Sequence, residues 1–224
     1  MQLRIEPRPD LPSVVHLDPD AGDGPTELVD ALRLAANAGS DCPVWVHGAT
    51  DAFDETMRVE GFTTNRTLLQ MRCPLPAAPT DLATRAFTDD DTDEFIAVNN
   101  RAFSWHPEQS GMTRDSFAND RAAEWFDADG FRLHHVDGRL AGFCWTKVHT
   151  EPEALGEIYV IALDPDFHGR GLGVPMTLAG LAHLAGRGLT TGMLYVEADN
   201  EAAVATYERI GFSVHRADKL WTPA

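Results

Sequence analysis

The sequence predicts an α/β protein: one complete domain preceded by a shorter, related segment. Three observations carry that prediction. Strand-like and helix-like stretches alternate from Ser13 to Leu220. The order strand, Asp-Pro loop, helix, strand, helix, Gly-Phe, strand occurs over Ser13–Arg72 and again over Glu157–Leu220. A Pro-rich stretch without periodicity, Cys73 to Asp81, lies between the copies. With 224 residues, 43% of them hydrophobic, the chain can bury a substantial core. Its net charge of -17, with no basic cluster, argues against a nucleic-acid backbone or an anionic membrane surface as partner. The cysteines are Cys42, Cys73 and Cys144. An odd number with no CxxC pair argues against a disulfide framework or a thiolate zinc site and points to a reducing cytosol. The first twenty residues hold no long apolar stretch, so no signal peptide is expected. The most apolar segment, Val174 to Ala185, contains His183 and is shorter than the roughly 20 residues a bilayer span needs.

In chain order, Ser13–Leu17 is a strand and Asp18–Pro25 a loop. Thr26 is expected to cap a helix over Glu27–Ala38, whose Leu28, Ala31, Leu32 and Ala35 fall at helical spacing. Pro43–His47 is a strand, Asp51–Glu60 a helix stopped by Gly61, and Thr67–Arg72 a strand. After the seam, a helix runs over Asp91–Phe103 with acids in its first turn, where the helix dipole favours them. A loop over Ser104–Thr113 leads to a second helix, Arg114–Asp127. Phe131–Val136 and Leu140–Val148 form a hairpin around Asp137-Gly138. Glu157–Leu163 is a strand, Val174–Gly186 a helix, Met193–Glu197 a strand and Asn200–Ile210 a helix stopped by Gly211. Phe212–Leu220 closes the chain as a strand.

The sharpest local feature is the strand ending in Asp164-Pro165, followed by His168-Gly-Arg-Gly-Leu-Gly173 and a helix. Glycines at a strand-to-helix turn let backbone N–H groups face a phosphate, and the helix N-terminus adds to the attraction. Arg170 places a positive charge beside the turn. A dinucleotide fingerprint would need glycine where Met176 stands, although Glu197 lies about 20 residues on, near the offset of its ribose-binding acid. That reading stays open as the poorer one. No Gly-Lys-Ser/Thr follows, which excludes the ATP-binding P-loop. The first copy carries Asp20, Asp23 and Pro25 in place of the Arg-Gly-Leu-Gly turn, the wrong charge for an anion. His106, His134 and His135 repeat no metal-ligand spacing, so no metal is expected. Cys144 reads as a core residue.

His168–Gly173 resembles the acyl-CoA pyrophosphate loop of the GNAT N-acetyltransferases, with His168 where Gln or Arg usually opens it. Leu194–Phe212, LYVEADNEAAVATYERIGF, is similar to the Asn-x-x-Ala-x-x-x-Tyr-x-x-x-Gly-Phe ending of that superfamily. NNRAFSWHPEQSGMT, WTKVH and LGEIYVIALDP resemble the active half of its mycothiol synthase branch, whose members carry two GNAT-like domains. The resemblance implies a GNAT fold, a mixed central sheet with flanking helices. Residues 1–75 would then be a degenerate half-domain, 76–81 a linker and 82–224 the catalytic domain. It implies direct transfer of acetyl from acetyl-CoA to a primary amine, the cysteine amine of desacetylmycothiol, without a covalent enzyme intermediate. Another small amine or peptide acceptor, or a non-catalytic acyl-CoA-binding module, are the alternatives. Acetyl-CoA would lie against Ile161, Ala162 and Leu163, then His168, Gly169, Arg170, Gly171, Leu172, Gly173 and Val174, then Asn200, Glu201, Ala202, Ala203, Val204 and Ala205. Tyr207 would protonate the leaving thiolate, and Glu157 would deprotonate the amine through water. Glu108, Lys147, Glu157 and Tyr195 would hold the acceptor; Lys147 and Lys219 are the only lysines of the chain. The protein is expected to be a cytoplasmic monomer with no metal, nucleic-acid or membrane partner.

Overall fold

Two units make up the chain, and neither is a continuous segment. The first comprises residues 1–71, 195–204 and 214–224; the second comprises 72–194 and 205–213. The computed structural model describes residues 1–8, 11–20, 22–36, 39, 42–104 and 111–224. The sequence places its seam at 73–81; in the structure the first unit ends at Met71, and the chain returns to it twice near the C-terminus.

In the first unit the strands are β1 (Gln2–Arg8), β2 (Leu11–Asp18), β3 (Val44–Val46), most of β4 (Phe62–Pro74), the end of β9 (Thr191–Glu197) and β10 (Ser213–Pro223). Their order starts β1-β2-β3-β10-β4. β1 runs antiparallel to β2, β2 parallel to β3, and β3 antiparallel to β10. Helices α1 (Pro25–Ala35) and α2 (Asp51–Val59) bring Leu28, Leu32, Phe53 and Met57 against Val15, Leu17, Val46 and Trp221. The alternation in β2 and β3 sends these residues inward and leaves His16 and Trp45 outside the buried core.

In the second unit the order is β9-β8-β7-β6-β5, with β5 at Arg85–Ala86, β6 at Phe131–Val136, β7 at Arg139–His149 and β8 at Leu155–Leu163. β5, β6, β7 and β8 pair antiparallel, and β8 runs parallel to β9. β7 is buried without a break from Leu140 to Thr146 because both of its faces are covered. On one face lie α3 (Thr92–Ala102), α4 (Arg114–Arg121) and an aromatic cluster of Phe87, Phe95, Phe117, Phe131, Phe143 and Trp145. On the other lies α5 (Gly173–Gly186), which approaches so closely at Gly180 that a Cβ there would stand 2.4 Å from Cys144 Sγ. The last helix, α6 (Glu201–Ile210), belongs to both units.

The mixed sheet with flanking helices is the predicted architecture, and four elements among others differ in detail. β1 was not expected as a strand. α1 starts at Pro25 with Gly24 as its cap, not Thr26: proline fits the first helical turn, and Glu27 Oε2 accepts the Gly24 N–H at 2.9 Å. α1 is described as far as Ala35, and the expected end at Ala38 lies outside the described residues. β4 begins at Phe62 and absorbs Cys73 and Pro74 of the expected linker. α4 stops at Arg121, not Asp127; the chain turns there, and Trp125 and Phe126 both reach Trp145, at 5.5 and 5.7 Å between ring centroids.

Candidate active site

The site is built on the second unit, from β8 and the turn that follows it. β8 carries a bulge: Val160 opposes Trp145, yet Ile158 opposes Thr146, so Tyr159 has no partner of its own on β7. Tyr159 is anchored by edge contacts to Trp125 and Trp145 at 4.8 and 5.4 Å. The parallel ladder with β9 covers Gly156, Glu157 and Ile158 and stops at the bulge. Beyond it, Val160 to Leu163 remain paired to β7 alone, with half-buried side chains. One edge of this stretch, including the predicted Ile161 and Ala162, is therefore left outside the β9 ladder, where a ligand could add in the manner of a strand, while at the predicted Leu163 the carbonyl is met by His168.

The chain then turns through Pro165–Phe167. Asp164 fixes the turn: its carboxylate accepts the Asp166 N–H at 3.0 Å and pairs with Arg101. Burial acts to raise its pKa, but these bonds outweigh it and hold the group below the ordinary carboxylate value. Buried Phe167 anchors the loop, and the Arg170 guanidinium lies over its ring at 4.7 Å. Gly169 and Gly171 take φ of +74° and +73°, a left-handed backbone that other residues adopt only at a cost of about 1–2 kcal/mol. Among the described residues, and apart from the adjoining ones, no atom lies within 4 Å of a Cβ built at Gly169, Gly171 or Gly173. The first turn of α5 carries no acid and no side-chain cap. His168 bonds through Nε2 to the Leu163 carbonyl at 3.2 Å, closing the loop back onto β8. The predicted His168–Val174 segment is thus an open, acid-free helix start suited to an anion.

Tyr207 is half-buried on α6 and packs edge-on against Phe212 at 5.8 Å. Burial, with a smaller contribution from Cys144, pushes its phenol up to about 12. It therefore stays protonated across the working range, as a proton donor must. Burial likewise pushes the Cys144 thiol up to about 12, so that cysteine is an inert core residue. Asn200 caps α6, its Oδ1 accepting the Ala203 N–H at 3.2 Å. Of the residues that follow, Glu201, Ala202 and Ala205 are exposed, while Ala203 and Val204 are half-buried.

Glu157 is buried, with Lys147 opposite it in the β7–β8 register. Lys147 Nζ sits over the rings of Trp125 and Tyr159, at 4.5 and 5.2 Å, a cation–π platform that aims the ammonium. His149 is the residue that sequence reasoning missed: its Nε2 lies 2.7 Å from Glu157 Oε2. Tyr195 belongs to the first unit, where its hydroxyl accepts from Gln70 at 2.7 Å and Arg216 at 3.2 Å. Glu108 and His106 lie outside the described residues. Among the described residues, no group of three or more His, Cys, Asp or Glu is arranged to hold a metal ion, and no helix is long and apolar enough to cross a membrane.

Residues 86–212 match the model of the Acetyltransferase (GNAT) family. The chain belongs to that family. It is 43% identical to the mycothiol acetyltransferase of Streptomyces coelicolor, over 97% of this chain and 72% of that protein. It is 47% identical to the mycothiol acetyltransferase of Mycolicibacterium vanbaalenii, over 92% and 71% respectively. The chain is thus a GNAT acetyltransferase grouped with the mycothiol acetyltransferases, and it spans about seven tenths of their length. Two solved structures share the GNAT fold. One is a GCN5-related N-acetyltransferase from Sphaerobacter thermophilus, with TM-score 0.66 and 17% identity over 86% of this chain and 64% of that one. The other is a tandem GNAT protein from the clavulanic acid biosynthesis pathway, with TM-score 0.63 and 16% identity over 98% and 77%.

Proposed function

We propose that this acetyltransferase moves acetyl from acetyl-CoA to the cysteine amine of desacetylmycothiol, by direct attack. The observation that carries the reading is the pairing of an unladdered β8 edge with an open glycine turn on the same unit. Acetyl-CoA, when bound, supplies an activated thioester, a pyrophosphate for the His168–Val174 turn and a pantetheine arm for the edge at Ile161–Leu163. The backbone N–H near Ile161 would hold the thioester oxygen.

An α-amine has an ordinary pKa of about 7.7–8.0, so a carboxylate acting through water suffices to neutralise it. Glu157, through water, would take the proton that turns the ammonium into the attacking amine and pass it to solvent. As the C–N bond forms and the C–S bond breaks, the nitrogen would give a second proton to water while Tyr207 protonates the departing sulfur, and that second proton restores Tyr207. A phenol near 12 is a weak acid for an ordinary thiolate near 8.5. Loss of water around a released thiolate raises its basicity, which narrows that gap. Lys147, aimed by Trp125 and Tyr159, would meet hydroxyls of the acceptor. Glu108 and Tyr195 carry acceptor-binding roles, and Asn200 to Ala205 cofactor-binding roles, by the resemblance alone.

On this reading residues 82–224 hold the chemistry, 1–75 form a degenerate half-copy, and the protein works as a cytoplasmic monomer. A second reading keeps the same chemistry with another small amine as acceptor. The test is thiol release from acetyl-CoA with desacetylmycothiol and a panel of amines. Turnover fastest with desacetylmycothiol supports the first reading; preference for another amine supports the second.

A further inference from the structure

The β7–β8 register sets a histidine against the proposed base. His149 and Lys147 lie two residues apart on β7 and so share one face. Lys147 stands opposite Glu157, which leaves His149 diagonal to it, within side-chain reach. The contact is 2.7 Å between His149 Nε2 and Glu157 Oε2. A carboxylate can only accept, so Nε2 carries the hydrogen, and in a neutral ring Nδ1 is the free acceptor. The Glu157 side chain is 9% exposed and that of His149 is 28% exposed. A buried carboxylate is therefore tied at one oxygen to a ring that reaches solvent.

The other charged or titratable groups beside the pair are Lys147 from β7, opposite Glu157, and Tyr159 from β8, which in turn feels Asp120 of α4. Burial first, then the charges of Asp120 and Glu157, raise the Tyr159 phenol, so it stays neutral. Lys147 is committed to its aromatic platform. Among the described residues, His149 is thus the hydrogen-bond partner seen on Glu157.

We propose that His149 is a positioning residue for Glu157: its Nε2–H fixes Oε2 and leaves Oε1 as the acceptor presented to the incoming amine. The inference rests on reading Glu157 as the base. With one oxygen held by His149, the carboxylate keeps a single orientation toward the acceptor; without that bond it is free to rotate away.

The test measures kcat and KM from pH 5 to 9, with acetyl-CoA and desacetylmycothiol, for the wild type, His149→Ala, His149→Gln and Glu157→Gln. His149→Ala should lower kcat about tenfold or more, within the 10²–10⁴-fold that a general base is worth, and leave the acetyl-CoA KM unchanged. His149→Gln keeps an N–H donor without an ionisation. It should recover most of kcat. Wild-type kcat in His149→Ala, or a His149→Gln as slow as His149→Ala, overturns the assignment. If His149→Ala does not fold, His149→Asn, whose shorter amide does not reach Glu157, takes its place. Wild-type kcat in Glu157→Gln removes the base itself. A slow Glu157→Gln beside unaltered His149 variants removes only the role of His149.

Discussion

In the first unit β2 runs into Asp18-Pro19-Asp20 and on to α1; in the second, β8 runs into Asp164-Pro165-Asp166 and on to α5. Both segments have a parallel neighbour and a glycine of positive φ in the turn. They differ in where their backbone donors go. In the first, the Asp20 N–H donates to Asp23 at 2.8 Å and the Gly24 N–H to Glu27 at 2.9 Å. Pro25 contributes no donor, and β2 is zipped to β3 up to the His47 N–H on the Leu17 carbonyl at 2.9 Å. In the second, the helix start has no acid, Gly169 and Gly171 face open space, and the β8–β9 ladder stops at Ile158. A shared topology is therefore not a shared site. A turn binds an anion only if its own carboxylates have not already taken its donors.

The largest effect that separates the two turns is charge at a glycine. Gly171→Asp should weaken acetyl-CoA binding by more than about 100-fold, since a carboxylate would stand where the anion is held. Gly22→Asp, also at positive φ (+101°) and also into open space, imposes a similar backbone strain on the first turn. It should leave acetyl-CoA affinity unchanged. Calorimetry on both variants breaks the comparison if they weaken binding equally.

Turnover should respond next, through Tyr207 in the second unit. Tyr207→Phe should keep acetyl-CoA affinity and lower kcat by about 10²–10⁴-fold if protonation of sulfur limits the rate. Because burial pushes the phenol up to about 12, its donor form persists throughout the neutral and mildly alkaline range. The kcat profile should show no basic fall below pH 10 that Tyr207→Phe abolishes; such a fall would contradict the raised phenol, whereas unchanged turnover in Tyr207→Phe would remove the tyrosine from the mechanism.

The same contrast separates what the sequence could and could not announce. The hairpin turn was legible because Asp137 and Gly138 both require positive φ, 51° and 77°, and that chemistry is local. The glycine turn and the Asn200 cap were legible for the same reason. β1 was not: it is an exposed edge strand in which charges fill the outward positions. The His149–Glu157 contact was hidden for a different reason. It depends on a register shifted by the bulge at Tyr159, and no local pattern tells which residues then lie opposite. Thr26 was a reasonable cap by composition, yet Glu27 bonding back to Gly24 and the fit of Pro25 moved the helix start two residues earlier.

A smaller effect belongs to the first unit. His16 bonds to His47 at 3.1 Å and to Glu6 at 3.1 Å, and His47 bonds to buried Asp218 at 2.9 Å. Burial first, then Arg4, lowers the His16 pKa. The unfolded chain therefore binds this proton more readily than the folded one. Stability from the neutral ring is present above the ordinary imidazole value and is lost as pH falls through it. Thermal unfolding followed from pH 8 to pH 5 should show a modest decline that His16→Gln flattens, with acetyl-CoA binding by the second unit unaffected. An unchanged slope in His16→Gln would place the decline elsewhere.

Titration of the wild-type chain with acetyl-CoA by calorimetry tests the difference between the two turns most directly. One molecule per chain, lost in Gly171→Asp and retained in Gly22→Asp, is the predicted result. Two molecules per chain, or a single one that survives Gly171→Asp, would contradict it.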